Sequence, residues 1–135
     1  MARDPLLERV RSLVMALPGA HEVEAWGAPT FRVKNKLFAM YAEAGNSHHG
    51  RPGVWIKSDA SSQEMLIDLD ARRYFKPPYV GPSGWIGVYL DQRVSWKGVE
   101  AHLCDAWRMI APKKLQAAAP AMQTRTADRR GRRVR

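Results

Sequence analysis

The sequence has a single cysteine, Cys104, among its 135 residues, so no disulfide forms within the chain. Such sparse cysteine usage is typical of proteins kept in a reducing compartment. The sequence also lacks the run of about 20 apolar residues that a membrane-spanning helix needs, and its N-terminus lacks the apolar stretch of a secretory signal. We therefore expect a soluble, cytoplasmic protein of one domain, with no membrane partner.

The residue patterns that mark catalytic and metal sites are also missing. Gly81-x-Ser83-Gly84 lacks the glycine two residues after the serine that a nucleophile elbow requires. His48 and His49 are adjacent, and His102 and Asp105 stand three residues apart, so neither pair completes a ligand set. The sequence accordingly predicts no catalytic residue, no metal site and no cofactor. It favours a binding protein over an enzyme.

Acidic residues are few: 13 aspartates and glutamates face 22 lysines and arginines, which gives a net charge of +9. The last eleven residues hold six arginines and one aspartate, with almost no apolar side chain to bury. We predict a folded domain over residues 1–115 and a basic, disordered tail over residues 116–135. The tail is either a solvated end or an electrostatic arm for phosphate backbones.

Two amphipathic helices are predicted near the ends of the domain. The first begins at Asp4-Pro5, which combines an N-cap side chain with a pre-set φ, and it ends at Pro18-Gly19. The last begins at Ser95 and ends at Pro112. The capping-box pattern Ser61-x-x-Glu64 predicts a shorter helix between them.

Alternating apolar and polar residues predict strands between these helices. Lys34-Asn35 is predicted to be a two-residue hairpin turn that pairs Phe31 with Phe38. One face of the sheet then turns toward the helices and carries Phe31, Val33, Phe38, Met40, Val54, Ile56, Ile86, Val88 and Leu90. We predict an α+β fold of two layers, an antiparallel sheet with the N- and C-terminal helices packed on one face.

The other face of the predicted sheet mixes rings and cations: Arg32, Tyr41, Trp55, Lys57, Trp85 and Tyr89. On an open sheet, bases stack on such rings while cations meet phosphates, as in platforms for single-stranded nucleic acid. The same residue types are enriched in dimer interfaces. A loop could instead cover the rings, or they could border a small-molecule groove. We therefore expect a monomer or a homodimer, with DNA or RNA as the most readily named partner.

Further cations flank this face. Arg72, Arg73 and Lys76 come just before Pro77-Pro78, and with Lys36 they enlarge the candidate set. The predicted nucleic-acid-binding residues are Arg32, Lys36, Trp55, Lys57, Arg72, Arg73 and Lys76. The alternative is that these short charge runs form solvated faces.

Tyr79 and Trp85 lie in a stretch that Pro77, Pro78 and Pro82 stiffen. We predict a rigid ridge whose two rings wall a shallow ligand groove beside Lys76–Trp85. The alternative is that both rings plug the end of the core. A groove there would suit a small-molecule-binding or enzyme-like protein, which is the alternative to nucleic-acid binding.

Several short motifs occur in one order along the chain: Leu17-Pro18-Gly19 before Glu22, Trp26-Gly27-x-Pro29, Phe31-Arg32-Val33-x-x-Lys36-Leu37-Phe38-Ala39, Val54-Trp55-Ile56-Lys57, Pro78-Tyr79, Gly84-Trp85 and Ala111-Pro112-Lys113. With them the chain resembles the MmcQ/YjbR-like family over about residues 13–115. The resemblance implies a compact α+β domain similar to secretion-chaperone-like and frataxin-like folds. For part of that family it also implies a proposed double-wing DNA-binding role.

The chain departs from the DNA-binding branch of that family in one loop. That branch carries polar, basic and histidine residues where this sequence reads Val80-Gly81-Pro82-Ser83-Gly84, which has no charge. DNA contacts from that loop are therefore not carried over to this chain. The resemblance implies a non-enzymatic binding domain of unestablished function.

Overall fold

The computed structural model describes residues 4–43 and 50–118. The helices are α1 (Pro5–Met15), α2 (Ala60–Leu69), α3 (Trp96–Ile110) and α4 (Lys113–Ala118). The strands are β1 (Ala20–Ala25), β2 (Ala28–Val33), β3 (Lys36–Ala42), β4 (Gly53–Ile56), β5 (Tyr74–Phe75) and β6 (Ile86–Tyr89), with a 3₁₀ turn at Gly81–Ser83. None of the helices in these two ranges is both long and apolar enough to cross a membrane.

The six strands form one antiparallel sheet in the order β1-β2-β3-β4-β6-β5. Helices α1 and α3 pack on one face of this sheet and bury a common apolar core. The predicted α+β class is confirmed. We call the face under α1 and α3 the helix face, and the opposite face the outer face.

The two long helices begin where the sequence predicts. Asp4 Oδ1 accepts a hydrogen bond from the N–H of Leu7 at 3.2 Å, which caps α1. Ser95 Oγ accepts one from the N–H of Gly98 at 3.2 Å, which caps α3. The cap of α2 is Asp59 rather than Ser61, because the Asp59 carboxylate accepts the N–H of Ser62. Each cap satisfies an N–H that has no partner within its helix.

Two tight hairpins join the first three strands. Trp26-Gly27 connects β1 to β2, and Lys34-Asn35 connects β2 to β3. All four residues have positive φ, as the two-residue hairpin turn with matching twist requires. The predicted turn at Lys34-Asn35 is therefore present. The turn at Trp26-Gly27 was not predicted from the sequence.

A bulge in β3 alters the predicted face of two residues. Phe31 pairs with Ala39 rather than Phe38, and the register shifts between Phe31 and Arg32. The extra residue places Phe38 and Ala39 both on the helix face. As a result Met40 lies on the outer face and Tyr41 on the helix face, so both predictions for these residues were wrong.

The helix-face core otherwise follows the predicted alternation. The predicted residues that lie in it are Phe31, Val33, Phe38, Val54, Ile56, Ile86, Val88 and Leu90. Val10 and Val14 enter from α1, and Trp107 enters from α3 with no exposed surface. Trp107 Nε1 also donates to the carbonyl of Pro18 at 2.8 Å, which ties α3 to the end of α1.

A smaller apolar cluster lies on the outer face. Its buried members are Met40, Ala42, Trp55 and Trp85, and Ala28, Leu37, Phe75 and Val80 pack against them. This cluster covers the two outward-facing tryptophans. Of the arrangements considered from the sequence, the structure matches the one in which the chain itself covers the rings.

Helix α4 lies at the domain boundary predicted at residue 115. It follows Pro112 and runs to Ala118. Leu115 packs over the backbone of Gly19, where an added Cβ would lie 2.7 Å from Leu115 Cδ1. The arginine-rich stretch of the predicted tail lies outside the described residues.

Candidate nucleic-acid interface

Four lysines gather at one end of the sheet. β2 ends and β3 begins at the Lys34-Asn35 turn, where Val33 pairs with Lys36. Lys57 directly follows β4, and its N–H donates to the carbonyl of Phe38 on β3 at 3.0 Å. Lys76 follows β5, which ends opposite Gly87 at the start of β6. We call Lys34, Lys36, Lys57 and Lys76 the lysine edge.

The lysine edge is accessible to solvent, and no carboxylate among the described residues pairs with its ammonium groups. Lys34, Lys36 and Lys76 are exposed, and Lys57 is half-buried. Within residues 4–43 and 50–118, none of the four forms an ion pair with a carboxylate. The nearest acid in sequence is Asp59, and its carboxylate is occupied in capping α2. A row of such lysines creates a positive potential that attracts anions.

Arg72 and Arg73 do not join this edge. They precede β5, and the carbonyl of Arg73 accepts the N–H of Tyr89 at the opposite end of the sheet. Their guanidinium Nε atoms also lie 3.8 and 3.7 Å from the carboxylate of Asp70. The structure therefore divides the predicted basic set, with Arg32, Lys36, Lys57 and Lys76 toward one end and Arg72 and Arg73 toward the other.

Trp26, which is exposed, and Arg32, which is half-buried, form a cation–ring pair on the β1–β2 hairpin. The Trp26 side chain is 76% exposed, and the Arg32 guanidinium carbon lies 5.9 Å from its ring centroid. Arg32 Nε donates to Thr30 Oγ1 at 3.2 Å, and Thr30 Oγ1 in turn donates to the carbonyl of Val23. This chain of hydrogen bonds orients the guanidinium beside the ring.

Sequence reasoning named Arg32 but missed Trp26 as a site residue. The signal was available in the dipeptide Trp26-Gly27, because a glycine second in a two-residue loop marks a hairpin turn. A tryptophan in such a turn projects from the end of the hairpin instead of packing along a strand. The indole is consequently presented to solvent.

Trp55 and Trp85, in contrast, are covered. They are 7% and 4% exposed, and Lys57 Nζ lies 6.0 Å from the Trp85 ring centroid. Trp55 pairs with Gly87 across the sheet, where the absence of a side chain leaves room for neighbouring rings. In this conformation neither indole presents a face on which a base could stack.

The two rings predicted to wall a groove differ in their exposure to solvent. Trp85 is 4% exposed within the outer-face cluster, whereas Tyr79 is 90% exposed. Gln63 on α2 holds this segment, since its Nε2 donates to the carbonyls of Gly81 at 2.8 Å and Trp85 at 2.6 Å. Trp85 thus serves packing, and Tyr79 projects from the surface.

A polar pair lies on the helix face beside a small cavity. Tyr74 Oη and His102 Nε2 are 3.0 Å apart, and both residues are buried. The cavity of about 10 Å³ is lined by Arg73, Gln92, Arg93 and Ser95 among others. Such a volume holds about one water molecule, far below the roughly 300 Å³ of a small-molecule site.

The remaining reactive groups support no catalytic assignment. Burial raises the pKa of the Cys104 thiol to about 11, so the thiolate that would act as a nucleophile is scarce at neutral pH. Within the described ranges, no group of three or more histidine, cysteine, aspartate or glutamate side chains is arranged to hold a metal ion. The described surface instead combines exposed lysines with an exposed indole.

Comparisons with known proteins agree with this fold. The model of the YjbR family matches residues 15–109. The crystal structure of the Deinococcus radiodurans protein DR2400, with a DUF419 domain, superposes with a TM-score of 0.67. It is 17% identical, and the match covers 84% of this chain and 85% of that one, which shows a shared fold. No curated protein matches the chain.

Proposed function

This chain belongs to the YjbR family, and we propose that it is a non-enzymatic domain that binds single-stranded nucleic acid. The observation that carries the proposal is the combination of the lysine edge with the exposed Trp26 ring and the Arg32 guanidinium beside it. Arg32 connects the two, because its backbone lies near the Lys34-Asn35 turn while its guanidinium reaches the Trp26 ring. Cationic and aromatic contacts are thereby available to one ligand.

The two groups have different roles in the proposed complex. The ammonium groups of the lysine edge bind phosphates as point charges, which contributes affinity without reading sequence. The Trp26 indole stacks on an unpaired base, and the Arg32 guanidinium beside it adds a planar cation. Every base has a flat face, so this mode tolerates many sequences.

A single strand suits this surface better than a duplex. In a duplex the base faces are stacked on each other and unavailable to an exposed indole. The β1–β2 hairpin presents one ring, 76% exposed, which matches a splayed base. We therefore expect stronger binding of unpaired oligonucleotides than of duplexes of the same length, for DNA and RNA alike.

The proposal moves the stacking role from Trp55 to Trp26. Trp55 remains part of the outer-face cluster that supports β4 and β6. Arg72 and Arg73 are placed outside the central contact, because they precede β5, at the sheet edge away from Trp26, and lie beside Asp70. They serve as internal controls for a general effect of positive charge.

Titration of a labelled, unpaired oligothymidylate by fluorescence anisotropy tests the proposal. We expect Trp26→Ala to weaken binding about tenfold and Trp26→Phe to retain most of it, because a phenyl ring still stacks. The double variant Arg72→Gln/Arg73→Gln should weaken binding only by the small general effect of losing two positive charges. Absence of binding to the wild-type protein at low salt would end the proposal.

A further inference from the structure

Tyr79 is an exposed tyrosine on strained backbone. Its side chain is 90% exposed and its φ is +66°, a value that a bulky residue rarely adopts. The N–H of Val80 donates to the carbonyl of Pro78 at 2.6 Å, so the chain closes a three-residue turn with Tyr79 at its centre. A turn of this kind with positive φ is strained and uncommon.

The surrounding segment holds that turn in place. Pro77 is buried, and Gln63 anchors Gly81 and Trp85 by their carbonyls. The aliphatic part of Lys76 lies against Gly81, where an added Cβ would be 2.7 Å from Lys76 Cγ. The backbone that carries Tyr79 is therefore held in place, while the ring contributes almost nothing to the core. An exposed ring on a pre-positioned backbone is suited to contact with a partner.

We propose that Tyr79 is a second stacking contact for the same nucleic-acid strand, at the opposite side of the sheet from Trp26. This inference rests on the proposed function. Tyr79 follows β5, one edge of the sheet, and Trp26 precedes β2 beside the other edge. The Trp26-Gly27 turn lies at the end of the sheet opposite the lysine edge, so a strand that contacts both rings crosses the sheet diagonally, past Arg32 and Lys76.

The sheet sets the length of strand that engages both rings. Five inter-strand steps of about 4.8 Å separate β1 from β5, and five residue steps of about 3.4 Å separate the two ends of β2, so the diagonal is roughly 29 Å. A stacked strand advances about 3.4 Å per nucleotide, so it crosses this span in roughly nine nucleotides. An oligonucleotide of about four nucleotides reaches one ring, and one of about twelve reaches both.

The experiment compares these two lengths of oligothymidylate. With the long probe, Tyr79→Ala is expected to weaken binding about tenfold, and with the short probe by no more than about twofold. Tyr79→Phe should bind like the wild type. Tyr79→Gly relieves the strained φ and should raise the stability of the fold while losing the same affinity as Tyr79→Ala, which separates the ring from the backbone.

The outcomes distinguish this inference from the proposed function. If Trp26→Ala weakens binding while Tyr79→Ala leaves the long probe unaffected, the proposed function stands and the second contact is refuted. An equal loss on both probes for Tyr79→Ala also refutes it, because the effect would not depend on spanning the sheet. If the wild type binds neither probe, both proposals fail together.

Discussion

Tyr41 Oη donates a hydrogen bond to Asp4 Oδ2 at 2.8 Å, while Asp4 Oδ1 caps α1 by accepting the N–H of Leu7. One carboxylate therefore joins the start of the first helix to the middle of the sheet. The bulge in β3 makes this contact possible, because it turns the Tyr41 side chain toward the helix face. Burial, followed by the hydrogen bond to Asp4, raises the pKa of Tyr41 above its ordinary value.

This contact predicts how stability depends on alkaline pH. A tyrosine whose folded pKa is raised contributes stability that is fully present below about pH 10 and is lost as the pH rises above it. Urea unfolding at pH 8 and pH 11 should show that loss in the wild type and a smaller loss in Tyr41→Phe. At pH 8 the variant should be less stable by about 1 kcal/mol. If the wild type and Tyr41→Phe differed in unfolding free energy by the same amount at pH 8 and at pH 11, the role of Tyr41 would be contradicted.

The Trp55 side chain is predicted to stabilise the fold rather than to stack on a base. Trp55→Ala should lower the free energy of unfolding by about 3–5 kcal/mol, because it empties part of the outer-face cluster. Trp55→Leu retains much of the apolar packing but has no ring to stack, and it should bind oligothymidylate as the wild type does. Chemical denaturation and anisotropy measure the two effects. Weaker binding by a stably folded Trp55→Leu would return the stacking role to Trp55.

Gly87 is predicted to tolerate no side chain. A Cβ there would lie 2.3 Å from Cζ of Phe75, whose ring stacks on Tyr89 with centroids 4.4 Å apart. Gly87→Ala should therefore displace Phe75 and destabilise the protein by about 1–3 kcal/mol. Thermal unfolding gives the measurement. A variant as stable as the wild type would show that β5 is not packed as described.

The Cys104 thiol is predicted to be protected. It is buried, and its pKa is raised to about 11, so both access and thiolate concentration are low at pH 8. A thiol reagent should modify the native protein slowly and the urea-unfolded protein rapidly. Rapid modification without denaturant would contradict the packing of α3 against the sheet.

Local sequence rules predicted most of this fold. Asp4-Pro5 and Ser95 are the helix starts, and period-two alternation selected the helix face of β2, β4 and β6. These features depend on a few neighbouring residues, so they are visible along the chain. The bulge was not predictable because Phe38 and Ala39 fit either face, and only packing against α3 decides between them.

The candidate site was predicted less completely, since it depends on strand order. Lys57 and Lys76 are distant in sequence, and they meet at one end only because β4, β6 and β5 are neighbours in that order. The separation of Arg73 from Lys76 has the same cause: they stand at opposite ends of a two-residue strand. The positions of charged residues along a sequence do not show which strands will be neighbours in the sheet.

The lysine edge is the central claim, and the salt dependence of binding tests it most directly. The variant Lys34→Gln/Lys36→Gln/Lys57→Gln/Lys76→Gln removes four charges there. The variant Lys97→Gln/Arg108→Gln/Lys113→Gln/Lys114→Gln removes four exposed charges from α3 and α4 and serves as the matched control. Both keep residues 119–135, so any contribution of the arginine-rich end is common to them.

The dissociation constant of each protein for labelled oligothymidylate is measured across a range of salt concentrations. Each phosphate contact on a single strand contributes about 0.7 to the slope of log affinity against log salt, so losing four should flatten the slope by about 3. We predict this change for the lysine-edge variant and little change for the control. Equal slopes for the two variants would contradict the lysine edge as the phosphate-binding surface.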